Sequence, residues 1–140
     1  IKKIYIAGPL FNVHEKKYLE EIAEVLEGAD FDCFLPHRDQ KGIDPEELKN
    51  NEMSQETKDI IFQTDIEALK EADLIVALVT GQDIDSGTAS EIGFMYANNK
   101  PVIAITAEER RYRNLFTAGM FTKTVHNIQE VLSSVEQFNS

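Results

Sequence analysis

The sequence contains a single cysteine, Cys33, and no tryptophan. One cysteine excludes an internal disulfide and is typical of the reducing cytoplasm, so we expect a cytoplasmic protein. Cys33 alternates with Phe31 and Leu35 in an apolar segment, which favours a buried thiol in a strand over a reactive one. The three histidines lack the spacing of metal ligands, and no zinc site is expected.

Basic residues are scarce, because 14 Lys and Arg stand against 25 Asp and Glu, for a net charge of −11. Nucleic acids and anionic membrane surfaces bind clustered Lys and Arg, so this balance argues against both partners. No apolar run approaches the ~18 residues of a membrane span, and the start lacks the pattern of a signal peptide. We therefore expect a protein that binds neither nucleic acid nor membranes.

Several nucleotide-binding and hydrolase motifs are also missing. The sequence has no Walker A motif, no G-x-G-x-x-G after its first apolar run and no G-x-S-x-G. Their absence argues against ATP binding, dinucleotide binding and a serine nucleophile elbow. The chain shows no repeat or linker, and its 140 residues suit one domain, residues 1–140, with a single substantial core.

Apolar runs alternate with amphipathic segments along the chain. This pattern predicts strands at residues 4–7, 31–35, 74–79, 102–105 and 122–125, helices at about 18–28, 54–72, 87–99 and 127–138, and a polar loop at 36–45. The alternation indicates an α/β fold: a Rossmann-like (flavodoxin-like), doubly wound sheet of about five parallel strands with helices on both faces. Ligands of such folds bind outside the carboxyl ends of the strands, so the residues that follow each strand should converge.

Residues 85–93, Asp-Ser-Gly-Thr-Ala-Ser-Glu-Ile-Gly, follow the third predicted strand and open an apolar helix. A helix start usually collects anions, but here Asp83, Asp85 and Glu91 supply negative charge themselves. This arrangement would repel a phosphate and suits carboxylate chemistry. Capping of the helix by Asp85 or Ser86, and the helix dipole, are the alternative explanations.

A third carboxylate lies in an apolar setting on the long predicted helix. Asp65 has Ile61 and Leu69 four residues to either side, which puts it on the core-facing stripe. A charge there is costly unless it is paired or lies in a cleft, so an ion pair is the alternative. Carboxylates in different environments at one sheet edge suit the acid and nucleophile roles at an acetal-like carbon.

Five segments, in this order, match one known family: residues 4–9 with Phe11, 36–42, 64–66, 85–93 and 114–116. On these motifs the chain resembles the nucleoside 2-deoxyribosyltransferases over nearly its whole length. Residues 114–116, Asn-Leu-Phe, have Phe where many members have Met, which is a conservative departure. The tail beyond Val125 matches poorly.

The resemblance implies transfer of the 2-deoxyribosyl group of a 2′-deoxynucleoside to a free purine or pyrimidine base, with retention. Glu91 would be the nucleophile that forms a covalent deoxyribosyl ester, and Tyr5 would orient it. Asp65 and Gln40 would face the base, and Asp65 would exchange a proton with it. Asp85 would bind the sugar hydroxyls or assist the leaving base.

The resemblance also implies that Asn114 of a neighbouring subunit contacts the sugar 5′-hydroxyl, so a homo-oligomer, a hexamer or dimer, is expected. Gly8, Gly87 and Phe11 lie in the matching motifs and would complete the substrate site. Members of the family need no metal or organic cofactor. The expected partners are therefore deoxynucleosides and free nucleobases.

Two other functions stay open. A 2′-deoxynucleoside 5′-monophosphate N-glycosidase would share the fold and carboxylates but needs a phosphate grip, for which Arg38 is the best candidate. The cluster of Arg110, Arg111 and Arg113 is interpreted as a solvated face. A non-catalytic nucleotide-sensing module is the other alternative function, and it would need no buried Glu91 beside a second carboxylate.

Overall fold

The computed structural model describes residues 1–40, 53–80, 83–107 and 114–139. Strands and helices alternate along these ranges. In chain order they are β1 (Lys3–Ala7), α1 (Val13–Gly28), β2 (Asp32–Phe34), α2 (Pro36–Asp39), α3 (Gln55–Glu71), β3 (Leu74–Leu78), α4 (Ser86–Ala97), β4 (Val102–Ile105), α5 (Leu115–Ala118), β5 (Lys123–Val125) and α6 (Ile128–Asn139).

The five strands form one sheet in the order β2-β1-β3-β4-β5, and every neighbouring pair is parallel. This is the flavodoxin-like strand order, and it confirms the predicted fold. The strand order reverses between β1 and β3, so their carboxyl ends flank the crevice in which such folds bind ligands.

Both faces of the sheet are covered, which explains why its central strands are continuously apolar. Every residue of β3 is buried, and alternate residues point to opposite faces. Ile4 and Ile6 join the core formed with α1 and α6, whereas Tyr5 and Ala7 join the core formed with α3 and α4. The thiol of Cys33 is buried on the first face, and burial raises its pKa to about 12.

Local capping signals set the starts of the helices. Side-chain oxygens of Asn12, Ser54, Asp85 and Asn114 accept hydrogen bonds from backbone N–H groups in the first turns of α1, α3, α4 and α5. These residue types are favoured at such positions because they satisfy N–H groups that the helix leaves unpaired. None of the described helices is long and apolar enough to cross a membrane.

Two predictions of local structure were wrong by more than two residues. The first helix begins at Val13 instead of residue 18, because Asn12 caps a first turn that carries little apolar signal. Residues 36–39 form the short helix α2 where a loop was predicted. Pro36 suits a first helical position, and Asp39 Oδ2 accepts a hydrogen bond from the Leu35 N–H at 2.9 Å. Residues 41–45 of the predicted loop lie outside the described residues.

Two glycines give a matched test of packing beside the sheet. A Cβ added at Gly8 would lie 2.8 Å from Leu19 Cδ2 and 3.1 Å from Leu78 Cβ, whereas one at Gly28 would meet nothing within 4 Å. We expect Gly8→Ala to lower the free energy of unfolding by roughly 1–3 kcal/mol through overpacking. Gly28→Ala should leave it unchanged or raise it by up to about 1 kcal/mol. Urea denaturation of both variants measures the difference, and equal stabilities would contradict the packing at Gly8.

Candidate active site

A cavity of about 530 Å³ opens where the chain leaves β1, β2 and β3. Gly8, Pro36 and Asp85, which follow these three strands, all line it, and α3 closes the opposite side with Asp65. The predicted convergence of strand ends therefore produces a concave site of the size that small ligands occupy.

Three carboxylates, those of Asp65, Asp85 and Glu91, line this cavity, and no Lys, Arg or His is found among its described lining residues. The remaining wall is largely apolar. Asp83, in contrast, is exposed and is absent from the lining. The third carboxylate of the site is thus contributed by α3, and the start of α4 supplies only two.

Glu91 is held by a tyrosine from the sheet. The Tyr5 hydroxyl donates a hydrogen bond to Glu91 Oε2, and the Tyr5 ring is fully buried and stacks on Phe34 with 5.4 Å between ring centroids. Burial, together with the charge of Glu91, keeps the pKa of Tyr5 above its ordinary value, so the hydroxyl remains a donor. Glu91 Oε1 has no hydrogen bond within the described residues and is the oxygen available to a ligand.

Burial raises the pKa of Glu91 to about 7, and the nearby charges of Asp65 and Asp85 act in the same direction. The hydrogen bond from Tyr5 opposes this shift. Loss of hydration thus disfavours the ionised form of Glu91 more than the hydrogen bond from Tyr5 favours it.

Asp65 is partly buried on α3, and burial raises its pKa to about 6. It forms no ion pair with any residue in the described ranges. Its Oδ1 accepts a hydrogen bond of 2.7 Å from Gln40 Nε2, which partly offsets the effect of burial. The direction of the shift agrees with the role of a proton donor.

The other predicted site residues divide into two groups. Gly8, Gly87 and Phe11 line the cavity. Gln40 contacts Asp65 and is absent from the cavity lining. Asn114 is exposed, caps α5 and is likewise absent from the lining.

Asp85 both caps α4 and lines the cavity. Its Oδ2 accepts hydrogen bonds from the backbone N–H and the hydroxyl of Thr88, at 3.1 and 3.0 Å, and thereby caps α4. Its other oxygen has no hydrogen bond among the described residues. Capping, the alternative explanation of Asp85, is therefore correct, but it leaves one oxygen for a ligand in the cavity.

Of the three aromatic residues of the wall, Phe11 was predicted from the sequence, and Phe62 and Phe94 were not. Phe62 and Phe94 line the cavity together with Phe11. Phe62 lies three residues before Asp65, and Phe94 lies three residues after Glu91, so helical spacing could have placed both beside the carboxylates. Phe62 is 61% exposed and Phe11 80% exposed, which leaves large aromatic surfaces open to a ligand.

The family model described as nucleoside 2-deoxyribosyltransferase matches residues 4–138. A conserved protein from Enterococcus faecalis V583 has a similar structure, with 28% identity, 98% of both chains covered and a TM-score of 0.80. A 2-deoxyribosyltransferase from Bacillus psychrosaccharolyticus shares 27% identity over 92% of this chain and 89% of its own, with a TM-score of 0.77. A CMP N-glycosidase from Clostridium botulinum shares the fold, at 22% identity, 96% and 99% coverage and a TM-score of 0.63. Among curated proteins no sequence match was found.

The raised pKa of Glu91 predicts how stability depends on pH. Burial shifts this pKa from 4.5 to about 7, so the folded state holds a proton that the unfolded state has lost, and stability falls as pH rises through this window. Glu91→Gln removes the titration and keeps an acceptor for Tyr5. We expect the variant to unfold at a higher temperature than the unchanged protein at pH 8, with the difference shrinking toward pH 4.

Thermal unfolding followed by circular dichroism measures this difference, with Glu67→Gln at an exposed position of α3 as the control. Parallel pH dependences for the Glu91 variant and the unchanged protein would contradict the burial of this carboxyl.

Proposed function

The chain belongs to the nucleoside 2-deoxyribosyltransferase family, and we propose that it transfers the 2-deoxyribosyl group of a 2′-deoxynucleoside to a free purine or pyrimidine base. The observation that supports this proposal is the pair of partly buried carboxyls, Glu91 and Asp65, in one apolar cavity. Two carboxyls in different environments are what cleavage and formation of a glycosidic bond require.

In the first step, Glu91 Oε1 attacks C1′ of the donor while the C1′–N bond breaks and its electron pair moves to the base. The protonated carboxyl of Asp65 gives its proton to the leaving base, and a deoxyribosyl ester of Glu91 is formed. The transition state resembles an oxocarbenium ion, which the carboxylate of Glu91 stabilises. A 2′-hydroxyl would withdraw electrons from this cation, which favours a 2′-deoxy sugar.

In the second step, the acceptor base attacks C1′ from the face that the first base left. Asp65 takes the proton that the acceptor loses, and the ester bond breaks to restore Glu91. Two displacements on one carbon give net retention. Tyr5 donates to Oε2 throughout, so it orients Glu91 and stabilises the carboxylate when it is the leaving group.

The cavity wall offers contacts for both halves of a nucleoside. The aromatic rings of Phe11, Phe62 and Phe94 can stack on a purine or a pyrimidine, since every base has a π face. The unpaired oxygen of Asp85 can accept a hydrogen bond from a sugar hydroxyl. Gly8 and Gly87 add no side chain to the wall and leave room for the sugar.

We further propose a cytoplasmic homo-oligomer, a hexamer or dimer, in which Asn114 completes the site of a neighbouring subunit. Asn114 lies outside the cavity of its own chain, and the adjacent Leu115 and Phe116 are 73% and 71% exposed. Such exposed apolar side chains favour an interface. The net charge of −11 continues to argue against a nucleic-acid partner.

The monophosphate N-glycosidase is the second candidate, and the described residues do not favour it. Arg38, its best phosphate ligand, donates to both carboxylate oxygens of Glu27, to both of Asp39 and to the Cys33 carbonyl. It is also absent from the cavity lining. Arg38 therefore joins α1 to α2 and is not available to an anion. The arginine cluster at 110–113 lies outside the described residues.

Replacement of the nucleophile tests the covalent mechanism. We expect Glu91→Ala to reduce base exchange between deoxyadenosine and cytosine by several orders of magnitude, because the attachment point of the sugar is lost. Glu67→Ala, on the exposed side of α3, serves as the control. Intact-mass spectrometry of the protein quenched with deoxyadenosine should detect the deoxyribosyl adduct. A variant that keeps a tenth of the activity, with an unchanged circular dichroism spectrum, would exclude the nucleophile role.

Comparison of a nucleoside with its monophosphate separates transferase from N-glycosidase. Each ionised carboxylate within ~4 Å of a 5′-phosphate would cost roughly 1–4 kcal/mol, and three carboxylates line the cavity. We expect deoxyadenosine to react faster than deoxyadenosine monophosphate, and cytosine to accelerate the release of adenine. Base release from both donors, with and without cytosine, provides the measurement. Faster reaction of the monophosphate with no effect of cytosine would support the N-glycosidase.

A further inference from the structure

Gln40 contacts the proposed acid Asp65 through a side-chain hydrogen bond. Its side-chain nitrogen Nε2 donates to Asp65 Oδ1 at 2.7 Å and to the backbone carbonyl of Ile61 at 3.5 Å. Gln40 itself is absent from the cavity lining, whereas Asp65 lines it.

The orientation of the Gln40 amide follows from these two contacts. Both neighbours of its nitrogen end, Asp65 Oδ1 and the Ile61 carbonyl, are acceptors. Rotation of the amide by half a turn would point its oxygen at the Ile61 carbonyl and, when Asp65 is ionised, at a second acceptor. Its oxygen end, Oε1, is buried without a hydrogen-bond partner among the described residues, so nothing described there favours the rotated orientation.

A fixed donor on Oδ1 decides where Asp65 can carry a proton. Oδ1 accepts a hydrogen bond from the N–H of Gln40, so a proton placed on Oδ1 would point at that N–H and be repelled by it. Oδ2 has no hydrogen bond in the described part of the chain, and it is the oxygen left for a ligand in the cavity. We propose that Gln40 is a positioning residue that confines the proton of Asp65 to Oδ2, the oxygen from which a leaving base takes it.

This inference rests on the proposed function and adds one step to it. The proton moves from Asp65 Oδ2 to a ring nitrogen of the leaving base as the C1′–N electron pair moves to that base. Asp65 Oδ1 meanwhile keeps the N–H of Gln40, which stabilises the carboxylate that forms. The other titratable groups around the cavity are Glu91 and Asp85 on α4 and Tyr5 on β1, and none of them donates to Asp65.

Positioning and base binding predict different kinetics for Gln40→Met, which keeps the length of the side chain and removes the amide. If Gln40 positions the proton, kcat for adenine release from deoxyadenosine should fall by about tenfold or more, a part of the roughly 10²–10⁴-fold that a general acid contributes. KM should change little. The alkaline limb of the kcat/KM profile should move to higher pH, because the hydrogen bond that lowers the pKa of Asp65 is lost.

A deoxyribosyl donor whose leaving group needs no proton makes the test specific for proton transfer. Release of 4-nitrophenolate from 4-nitrophenyl 2-deoxyriboside needs no proton, so Gln40→Met should release it at close to the normal rate. The same reaction shows that the variant folds and forms the ester. In an Asp65→Asn background, Gln40→Met should have no further effect on adenine release, because both changes remove the same proton transfer. Gln55→Leu is the matched control, since Gln55 makes an equivalent bond of 2.8 Å to the exposed Asp59 on the same helix.

The outcomes separate this inference from the proposed function. Three results for Gln40→Met would overturn the positioning role while leaving the transferase proposal intact. They are an equal fall in the release rates of adenine and 4-nitrophenolate, a rise in KM alone, and an additive effect in the Asp65→Asn background. An unchanged protein that releases neither adenine nor 4-nitrophenolate would instead overturn the proposed function.

Discussion

Burial of carboxyl groups without a cationic partner is the constraint on which the site depends. Asp65 and Glu91 are partly buried in one apolar cavity, and no described residue of its wall supplies a positive charge. Neutral donors compensate instead, the hydroxyl of Tyr5 for Glu91 and the amide of Gln40 for Asp65. A cation in either place would favour full ionisation, and an acid could then no longer hold a proton for the base.

The two carboxyls therefore titrate close to each other. Burial raises the pKa of Asp65 to about 6 and that of Glu91 to about 7, and the charge of Asp65 adds to the shift of Glu91. The proposed reaction needs the proton on Asp65 and Glu91 ionised, which is the reverse of the order of these two pKa values. The hydrogen bond from Tyr5, which lowers the pKa of Glu91, acts toward the required arrangement.

Spacing along single elements predicted much of the fold and of the site. Asp65 and Glu91 were identifiable because a carboxylate on an apolar helical stripe is unusual, and the parallel sheet with helices on both faces followed from the alternation of strands and helices. Helix α2 was missed because its four residues are polar and too few to show a period. The hydrogen bond between Gln40 and Asp65 was also not predictable from spacing, since it joins residues 25 positions apart in the sequence.

The exposed aromatic wall bears on whether a deoxyribosyl ester would meet a base or water. Phe11 and Phe62 expose most of their side chains, so a planar base that stacks on them would bury apolar surface at the mouth of the cavity. The same base would exclude water from the face of C1′ that the leaving base vacates. Hydrolysis needs water at that position, and an acceptor that binds by stacking competes directly with it. Under the proposed mechanism, free base would therefore favour transfer over hydrolysis at the same carboxyls that would serve an N-glycosidase.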